Sequence, residues 1–501
     1  MRLNAKQIAD YAGGTFAVRP IDASAIMSGL TWDSRDVQPG WLYVALPGER
    51  VDGHDFVAAA LRAGAWGALV ARPLDEATRT LAAEMGAAVI EVPDTAAALT
   101  DLARAWRGHL RGTVIGITGS TGKTTTKNLV RDVLATHGSV VATAGNQNNE
   151  LGVPKTLLSA DPDTRFVVVE MGMRGEGQLE QLCEFVRPRW GLVTNVGESH
   201  IELLGSRDNI ARAKAELLCA LPKASGVAFL NGSDDRSDFL LSCTGLERWR
   251  NEVVCFDGSG SYATQAGPEA GWRHRPAVWA EDVELDGQGR AHFVLAARGF
   301  AEGWPPDATE DLAVLRQPCT LGLRGLHNVA NACAAAAVGL AAGMDLAAIA
   351  RALEGALPET GRQELLHARG GFVVVNDAYN ANPDSMRASL ATFCALEVPG
   401  ARIAVLGDMG ELGDFAAACH EGVGEAAAAM PLDALVCVGE LSQGIADGAE
   451  RAGMDPEKIV RAHSVAEVLG ELEGRVQPGD AVLVKASHFM GLTRVVEGLV
   501  S

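Results

Sequence analysis

A short glycine-rich segment has residue types and a spacing that suit phosphate binding. It reads Gly119-Ser120-Thr121-Gly122-Lys123-Thr124-Thr125, after a predicted buried strand and before a predicted helix. Glycines let backbone N–H groups approach an anion, and the helix N-terminus adds partial positive charge. Lys123 would reach terminal phosphates, and the Thr124 hydroxyl would bind Mg²⁺. The segment predicts an ATP site, although Ile117 replaces the first glycine of the usual motif and a chance glycine turn is the alternative.

Two more candidate ligands follow neighbouring predicted strands. The run Val167-Val168-Val169 ends at Glu170, and the run Leu192-Val193-Thr194 is followed by His200. Carboxyl ends of parallel strands meet at one edge of a sheet, where ligands gather. Glu170 and His200 therefore predict a Mg²⁺ site beside the phosphates. From the residues alone, a carboxylate at a helix N-terminus and a buried hydrogen-bonding histidine remain open alternatives.

The elements that must position these residues indicate an α/β protein of three domains. A chain of 501 residues exceeds what one hydrophobic core accommodates. We expect a small N-terminal α/β domain over residues 1–107 and a central P-loop ATPase-like parallel sheet over 108–357. A Rossmann-like domain over 358–501 completes the chain.

Two regions refine this outline. Residues 257–318 are rich in Gly, Pro and Trp and carry a hairpin signal at Asp286-Gly287, so we expect an antiparallel extension of the central sheet. An Ala-rich helix is predicted from Asn328 to Gly343. The C-terminal domain shows four strand cores, at Phe372 to Val375, Arg402 to Leu406, Ala434 to Val438 and Ala481 to Val484.

Composition excludes several classes of function. The net charge of −20 argues against a nucleic-acid-binding surface. No apolar run reaches the length of a membrane span, and the N-terminus lacks the pattern of a signal peptide. The nine cysteines are scattered without a Cys-x-x-Cys pair, which indicates reduced thiols. We expect a soluble cytoplasmic protein.

The phosphate loop, with Ile117 in place of the first glycine, is similar to that of the Mur ligases and the folylpolyglutamate synthetases. Segments along nearly the whole chain resemble the Mur ligases, in the order that the family requires. They include Asp33-Ser34-Arg35, Asp52 to Phe56, Gly145 to Pro154, Asn376 to Met386 and Leu406 to Gly413. These segments resemble in particular the branch that joins D-alanyl-D-alanine to UDP-N-acetylmuramoyl-tripeptide.

The resemblance implies roles for individual residues. It implies catalytic roles for Lys123, Glu170, His200, Lys214 and Arg362. Lys214 would be carbamylated, so that Thr124, Glu170, His200 and Lys214 would hold two Mg²⁺ ions. Without the resemblance, Lys214 would be read as a solvated lysine on a helix.

Nucleotide and substrate contacts are implied in the same way. Arg362 would reach the γ-phosphate, Asp377 the ribose and Asn328 the adenine, with Asn380 close by; a helix N-cap is the alternative for Asn328. Substrate contacts would come from Ser34, Arg35, Asn146, Asn148, Asn149, Lys485 and Ser487. His488 stands where the family has arginine, and residues 173–177 also depart from the family pattern.

The implied activity is ATP-dependent ligation through an acyl phosphate, in peptidoglycan precursor synthesis. The N-terminal domain would bind the UDP-sugar, and the C-terminal domain would close on ATP and bind the dipeptide, with the chain acting as a monomer. One alternative is another Mur-type ligase that adds a diamino acid or glutamate. A P-loop ATPase or kinase and a non-catalytic binding protein are further alternatives.

Overall fold

The computed structural model describes residues 1–48, 51–244, 253–260, 276–300 and 313–501. Three separate sheets of five, nine and six strands follow one another along the chain. This confirms the predicted α/β class with three domains. Each sheet lies within one of the predicted domains, while the boundaries themselves stay predictions.

The N-terminal sheet has the strand order β1-β5-β4-β3-β2, in which only β1 is antiparallel to its neighbour. Its strands are β1 (Thr15–Val18), β2 (Gly29–Thr31), β3 (Trp41–Val44), β4 (Gly67–Val70) and β5 (Ala88–Glu91). Its helices are α1 (Ala5–Ala12), α2 (Val57–Arg62), α3 (Glu76–Glu84) and α4 (Thr95–Arg107). The Asp94 carboxylate accepts hydrogen bonds from two N–H groups at the start of α4, which explains why the helix begins there.

The central sheet has nine strands in the order β14-β13-β12-β11-β10-β9-β6-β8-β7. They are β6 (Thr113–Thr118), β7 (Val140–Ala142), β8 (Phe166–Glu170), β9 (Trp190–Val193), β10 (Val227–Asn231), β11 (Val253–Asp257), β12 (Ala277–Leu285), β13 (Arg290–Arg298) and β14 (Leu315–Arg324). The predicted hairpin at Asp286-Gly287 is confirmed, since β12, β13 and β14 pair antiparallel. Residues 261–275 and 301–312 of the predicted extension lie outside the described residues.

The helices of the central domain cover both faces of this sheet. They are α5 (Lys123–Ala135), α6 (Gly152–Ser159), α7 (Gln178–Val186), α8 (Ile201–Leu204), α9 (Arg207–Cys219), α10 (Ser237–Thr244), α11 (His327–Ala341) and α12 (Leu346–Glu354). Helix α11 is buried along almost its whole length, because its alanines allow close packing on the sheet and on α5.

The C-terminal sheet has the order β15-β16-β20-β17-β18-β19, parallel except for the edge strand β15. Its strands are β15 (Glu364–His367), β16 (Val373–Asn376), β17 (Arg402–Gly407), β18 (Ala434–Val438), β19 (Ile459–Ala462) and β20 (Ala481–Lys485). Its helices are α13 (Pro383–Cys394), α14 (Ala416–Ala428), α15 (Gln443–Arg451), α16 (Val465–Glu473) and α17 (Thr493–Val500). The four predicted strand cores are β16, β17, β18 and β20, and both edge strands were missed.

Packing joins the domains. One continuous apolar core includes Trp106, Leu158 and Leu390, which belong to the three domains in turn. The Trp106 indole N–H donates to the Ala160 carbonyl at 2.9 Å, which fixes α4 on the central domain. Within the described residues, no helix combines the length and apolarity needed to cross a membrane.

We predict that Trp106→Ala destabilises the contact between the N-terminal and central domains by about 3–5 kcal/mol, because it removes a buried ring and leaves a cavity. Trp106→Phe, which keeps most of the packing and loses only the N–H donor, should cost about 1–3 kcal/mol. The measurement is the denaturant midpoint of the first unfolding transition. Equal midpoints for Trp106→Ala and the unsubstituted protein would contradict the assignment.

Candidate active site

The phosphate loop has the backbone shape that anion binding needs. It follows β6 and ends where α5 begins at Lys123, with left-handed backbone at Gly122 (φ 74°). A Cβ at Gly122 would lie 2.6 Å from the Asn331 side chain, so only glycine fits. The Lys123 ammonium donates to the Gly119 carbonyl at 2.7 Å, which holds the lysine over the loop.

Residues after β9 brace this loop from the side. The Asn195 amide accepts from the Thr121 N–H at 2.9 Å and donates to the Thr121 hydroxyl at 2.7 Å. The Thr194 hydroxyl donates to the Thr121 carbonyl at 2.6 Å. The loop is therefore preorganised by protein contacts, which lowers the entropic cost of binding an anion.

Glu170, at the end of β8, has one carboxylate oxygen that suits a cation. Its Oε1 accepts from the Thr124 hydroxyl at 3.1 Å and from the Asn148 amide at 2.8 Å. Its Oε2 is buried and has no hydrogen-bond partner among the described residues. A buried unpaired carboxylate oxygen is costly, and a divalent cation offsets that cost.

The fit to a metal is thus good for Thr124 and Glu170. No three residues of the types His, Cys, Asp and Glu gather into a metal-binding cluster within the described part of the chain. Phosphate oxygens and water would supply the remaining ligands, as Mg²⁺ commonly requires.

Lys214 is buried in α9, with 1% of the residue exposed. Burial, together with the nearby charge of Lys123, lowers the pKa of Lys214 well below its usual value, against a smaller opposing effect of Asp234. The reading of Lys214 as a solvated lysine is therefore wrong. Its amine loses its proton more readily than that of a surface lysine. The neutral amine is the form that reacts with electrophiles.

His200 joins the central and C-terminal domains. Its Nδ1 lies 2.6 Å from a carboxylate oxygen of Glu411, in the loop after β17. Both residues have left-handed backbone, with φ 65° and 60°. The close approach of His200 is the main reason that the pKa of Glu411 is lowered. The sequence analysis placed Glu411 in the segment Leu406 to Gly413, which resembles the Mur ligases, without assigning it this contact.

Arg362 approaches the phosphate loop from the junction before the C-terminal domain. Its guanidinium lies 4.2 Å from the centre of the Tyr379 ring, and its Nη2 is 3.4 Å from the Thr124 hydroxyl. Just upstream, Glu359 accepts a hydrogen bond from Asn128 on α5 at 2.7 Å. The stacked ring holds the guanidinium, so a positive charge faces the phosphate site. Sequence reasoning found Arg362 and missed Tyr379 and Glu359.

Asp377 and Lys485 form a buried ion pair, 2.7 Å between the Lys485 ammonium and Asp377 Oδ2. Burial would raise the pKa of Asp377, but the Lys485 charge and hydrogen bonds bring it below its usual value. The ammonium also donates to the Asn380 carbonyl at 3.0 Å. Ser487 accepts from the Gly410 N–H at 2.9 Å. Lys485 and Ser487 thus hold the C-terminal loops together, and their contact with a dipeptide stays a prediction.

The asparagines differ in their contacts. The N-cap interpretation of Asn328 is wrong, because α11 starts one residue earlier and Asn328 donates instead to the Arg324 carbonyl at 2.6 Å. Asn149 accepts from the Gly152 N–H at 3.0 Å, at the start of α6. Asn146 and Asn148 line the cleft.

Most predicted site residues lie around one cleft of about 1440 Å³ between the central and C-terminal domains. Those that line it are Ser120, Thr121, Gly122, Lys123, Thr124, Thr125, Asn146, Asn148, Asn149, Glu170, His200, Asn328, Arg362, Asp377, Asn380, Lys485 and Ser487. Gly119 and Lys214 are not among the residues that line it. Ser34 and Arg35 do not line it, and Arg35 is an exposed residue paired with Asp33.

Three family models match the chain in sequence. The Mur ligase family catalytic domain matches residues 27–107, the Mur ligase middle domain 117–339 and the Mur ligase glutamate ligase domain 361–488. Each model matches the region of one of the three sheets.

Individual relatives extend over the full length. The UDP-N-acetylmuramoyl-tripeptide–D-alanyl-D-alanine ligase of Mycobacterium tuberculosis is 37% identical, with 100% of this chain and 98% of that protein aligned. A crystal structure of MurF from Acinetobacter baumannii matches with a TM-score of 0.79 at 29% identity, covering 100% and 99% of the two chains. The MurF ligase of Thermotoga maritima, solved in complex with ADP, matches with a TM-score of 0.69 at 27% identity over 94% and 97%. The chain belongs to the Mur ligase family.

Proposed function

We propose that this protein joins D-alanyl-D-alanine to UDP-N-acetylmuramoyl-tripeptide, with conversion of ATP to ADP and phosphate, in peptidoglycan precursor synthesis. One observation carries the proposal. The phosphate loop, the Glu170 carboxylate and the Arg362 guanidinium meet in one cleft between two domains. The full-length relative at 37% identity, named for this reaction, supports the choice of substrates.

The first chemical step is attack by the terminal carboxylate of the tripeptide on the γ-phosphate, which gives an acyl phosphate and ADP. The two reactants are anions, so positioning and charge neutralisation dominate catalysis. Lys123, Arg362 and the N-terminus of α5 supply positive charge around the loop.

In the second step, the free amine of the dipeptide attacks the activated carbonyl. A tetrahedral intermediate forms and collapses to the amide with loss of phosphate, and the amine gives up a proton. The same cationic groups would stabilise the oxyanion and the leaving phosphate.

Thr124 and Glu170 would hold one Mg²⁺, and His200 with carbamylated Lys214 would contribute to a second. When bound, the metals would neutralise phosphate charge and orient the transferred group. Support for the carbamate is the buried Lys214 amine with its lowered pKa. CO₂ addition to that amine would give an anionic oxygen ligand.

The remaining assignments are part of the same proposal. Residues 1–107 would bind the UDP-sugar, with Ser34 and Arg35 as contacts, residues 108–357 would bind ATP, and residues 358–501 would close and bind the dipeptide. A cytoplasmic location is supported by free thiols such as the exposed Cys219 and Cys243.

The two alternatives differ in how much of the chain they explain. A P-loop ATPase or kinase requires only the loop and leaves the two outer domains without a role. A Mur-type ligase that adds a single amino acid uses the same chemistry, so only its acceptor separates it from the proposal.

We predict that ADP release requires both UDP-N-acetylmuramoyl-tripeptide and D-alanyl-D-alanine, with one ADP per new amide bond. A coupled ADP-release assay with a panel of amines, and with the third residue of the tripeptide varied, makes the measurement. Lys123→Ala serves as the inactive control, because it removes the charge at the loop. Dependence on a single amino acid would favour another Mur-type ligase, and phosphate release without a carboxylate acceptor would favour an ATPase.

We predict one carbamate carbon in the protein when it is equilibrated with ¹³C-bicarbonate at neutral pH, detected by carbon NMR. Lys214→Ala should lose that signal and lower ligation on the order of 100-fold or more, because an anionic ligand is removed. Only the neutral amine adds CO₂, so the signal should fade as the pH falls and protonation competes. The exposed Lys223→Ala is the matched control. A signal that persists in Lys214→Ala would contradict the assignment.

We predict that locking the central and C-terminal domains together abolishes ligation and spares nucleotide binding, because closure must be reversible for turnover. Cys419 lies 4.0 Å from a carboxylate oxygen of Glu198 on the opposing domain. Glu198→Cys therefore allows a short bis-maleimide to bridge the two domains. The unsubstituted protein treated with the same reagent, and Glu198→Cys with Cys419→Ser, are the controls. Unchanged turnover in the bridged protein would exclude a domain motion.

A further inference from the structure

Gln363, at the junction that leads into the C-terminal domain, has two unusual features. Its backbone is left-handed, with φ 52°. A residue with a Cβ adopts this conformation at a cost in conformational free energy. It lies next to Arg362 and lines the cleft, although only 8% of the residue is exposed. The mechanism above gives Gln363 no role.

The side-chain amide of Gln363 is held in one orientation. Its Nε2 donates to Asp377 Oδ2 at 2.9 Å and to the Ser389 hydroxyl at 2.6 Å. The backbone N–H of Gln363 donates to the other Asp377 oxygen at 3.3 Å. An ionised carboxylate only accepts hydrogen bonds, so the NH₂ group must face Asp377 and the carbonyl oxygen must point away.

That carbonyl oxygen, Oε1, is buried and has no hydrogen-bond partner among the described residues. Buried acceptors are nearly always paired, and leaving one unpaired is costly. The protein thus fixes an unused acceptor in a residue that lines the ligand cleft, on a strained backbone. A ligand with an N–H or O–H donor would pair it.

The position of Gln363 identifies the part of the ligand that it faces. Arg362, its neighbour in sequence, reaches the Thr124 hydroxyl and so marks the phosphate end. Gln363, Ser389 and Asn328 line the same cleft. In a nucleoside triphosphate, the sugar adjoins the phosphates and its hydroxyl groups are donors.

We propose that the Gln363 side-chain carbonyl accepts a hydrogen bond from a ribose hydroxyl of the bound nucleotide, and so selects ribonucleotides over deoxyribonucleotides. This rests on the proposed ATP-dependent function. Asp377, engaged by Lys485 and Gln363, acts here by orienting the amide. Gln363 is a specificity-determining residue of the nucleotide site.

The test combines one variant with altered ligands. Dissociation constants for ATP, 2′-deoxyATP and 3′-deoxyATP are measured by calorimetry with Mg²⁺ and without the dipeptide, on the full chain and on Gln363→Met. One deoxy analogue should bind the unsubstituted protein about three- to tenfold more weakly than ATP, the effect of one neutral hydrogen bond. Gln363→Met should weaken the binding of ATP and of the second deoxy analogue by a similar factor. It should leave unchanged the affinity for the analogue that already lacks the contacted hydroxyl.

A merely structural role gives a different pattern. If Gln363→Met weakens the binding of all three nucleotides equally, the proposal is overturned. The proposal would also be overturned if Gln363→Met lost the preference of the unsubstituted protein for ATP over purine riboside triphosphate, because the acceptor would then face the base. Ser389→Ala keeps Oε1 and should keep the ribose discrimination, and the exposed Gln288→Met should behave like the unsubstituted protein.

The two levels of inference fail separately. If the unsubstituted protein binds no ATP, the proposed function fails. If it binds ATP, 2′-deoxyATP and 3′-deoxyATP with equal affinity, only the assignment of Gln363 fails.

Discussion

The structure depends on bringing several anions together inside a chain whose own net charge is −20. Triphosphate, substrate carboxylate and buried carboxylates repel one another strongly where water is excluded. Positive charge must therefore be concentrated at one place, and it is supplied by Lys123, Arg362 and the N-terminus of α5. Each cation is held by a specific contact, so the field is present before any ligand arrives.

This concentration of charge is assembled from more than one domain. Lys123 belongs to the central domain, whereas Arg362 is fixed by the Tyr379 ring of the C-terminal domain. The contact between His200 and Glu411 crosses the same cleft. Because neither domain alone carries the complete set, the relative position of the domains controls the electrostatics of the site. That dependence gives domain closure a chemical consequence.

What the sequence could predict follows from the range of the contacts involved. The phosphate loop is local, since its glycines and the following helix lie within a few residues, and it was found directly. Edge strands β15 and β19 were missed because their apolar patterns are short and only partly buried. Lys214 was placed on a helix correctly, but its burial depends on the packing of α9, which helical periodicity did not reveal.

Contacts between distant residues were out of reach for the same reason. No sequence motif predicts the partners of Glu411 and Gln363. Glu411 contacts His200 only when the two domains pack together. For Asn328, a local pattern suggested a helix N-cap that the structure does not have. Its side chain instead makes hydrogen bonds with Arg324 and Asn331. Tertiary packing offered that side chain better partners than the helix terminus did.

The distribution of backbone strain and of unpaired buried polar atoms gives independent support for the location of the site. Of the five non-glycine residues with left-handed backbone in the described parts of the chain, His200, Gln363 and Glu411 line the cleft. Of the four buried side-chain oxygens without a partner in the described residues, three, those of Ser120, Glu170 and Gln363, belong to residues that line this cleft, whereas unpaired nitrogens of Arg207, Arg236 and Arg402 lie outside it. Strain and unpaired polar atoms persist only where the surrounding structure enforces them, and a ligand can offset both. Their concentration in one cleft is expected if the fold is organised around what binds there, since packing errors would be scattered through all three cores.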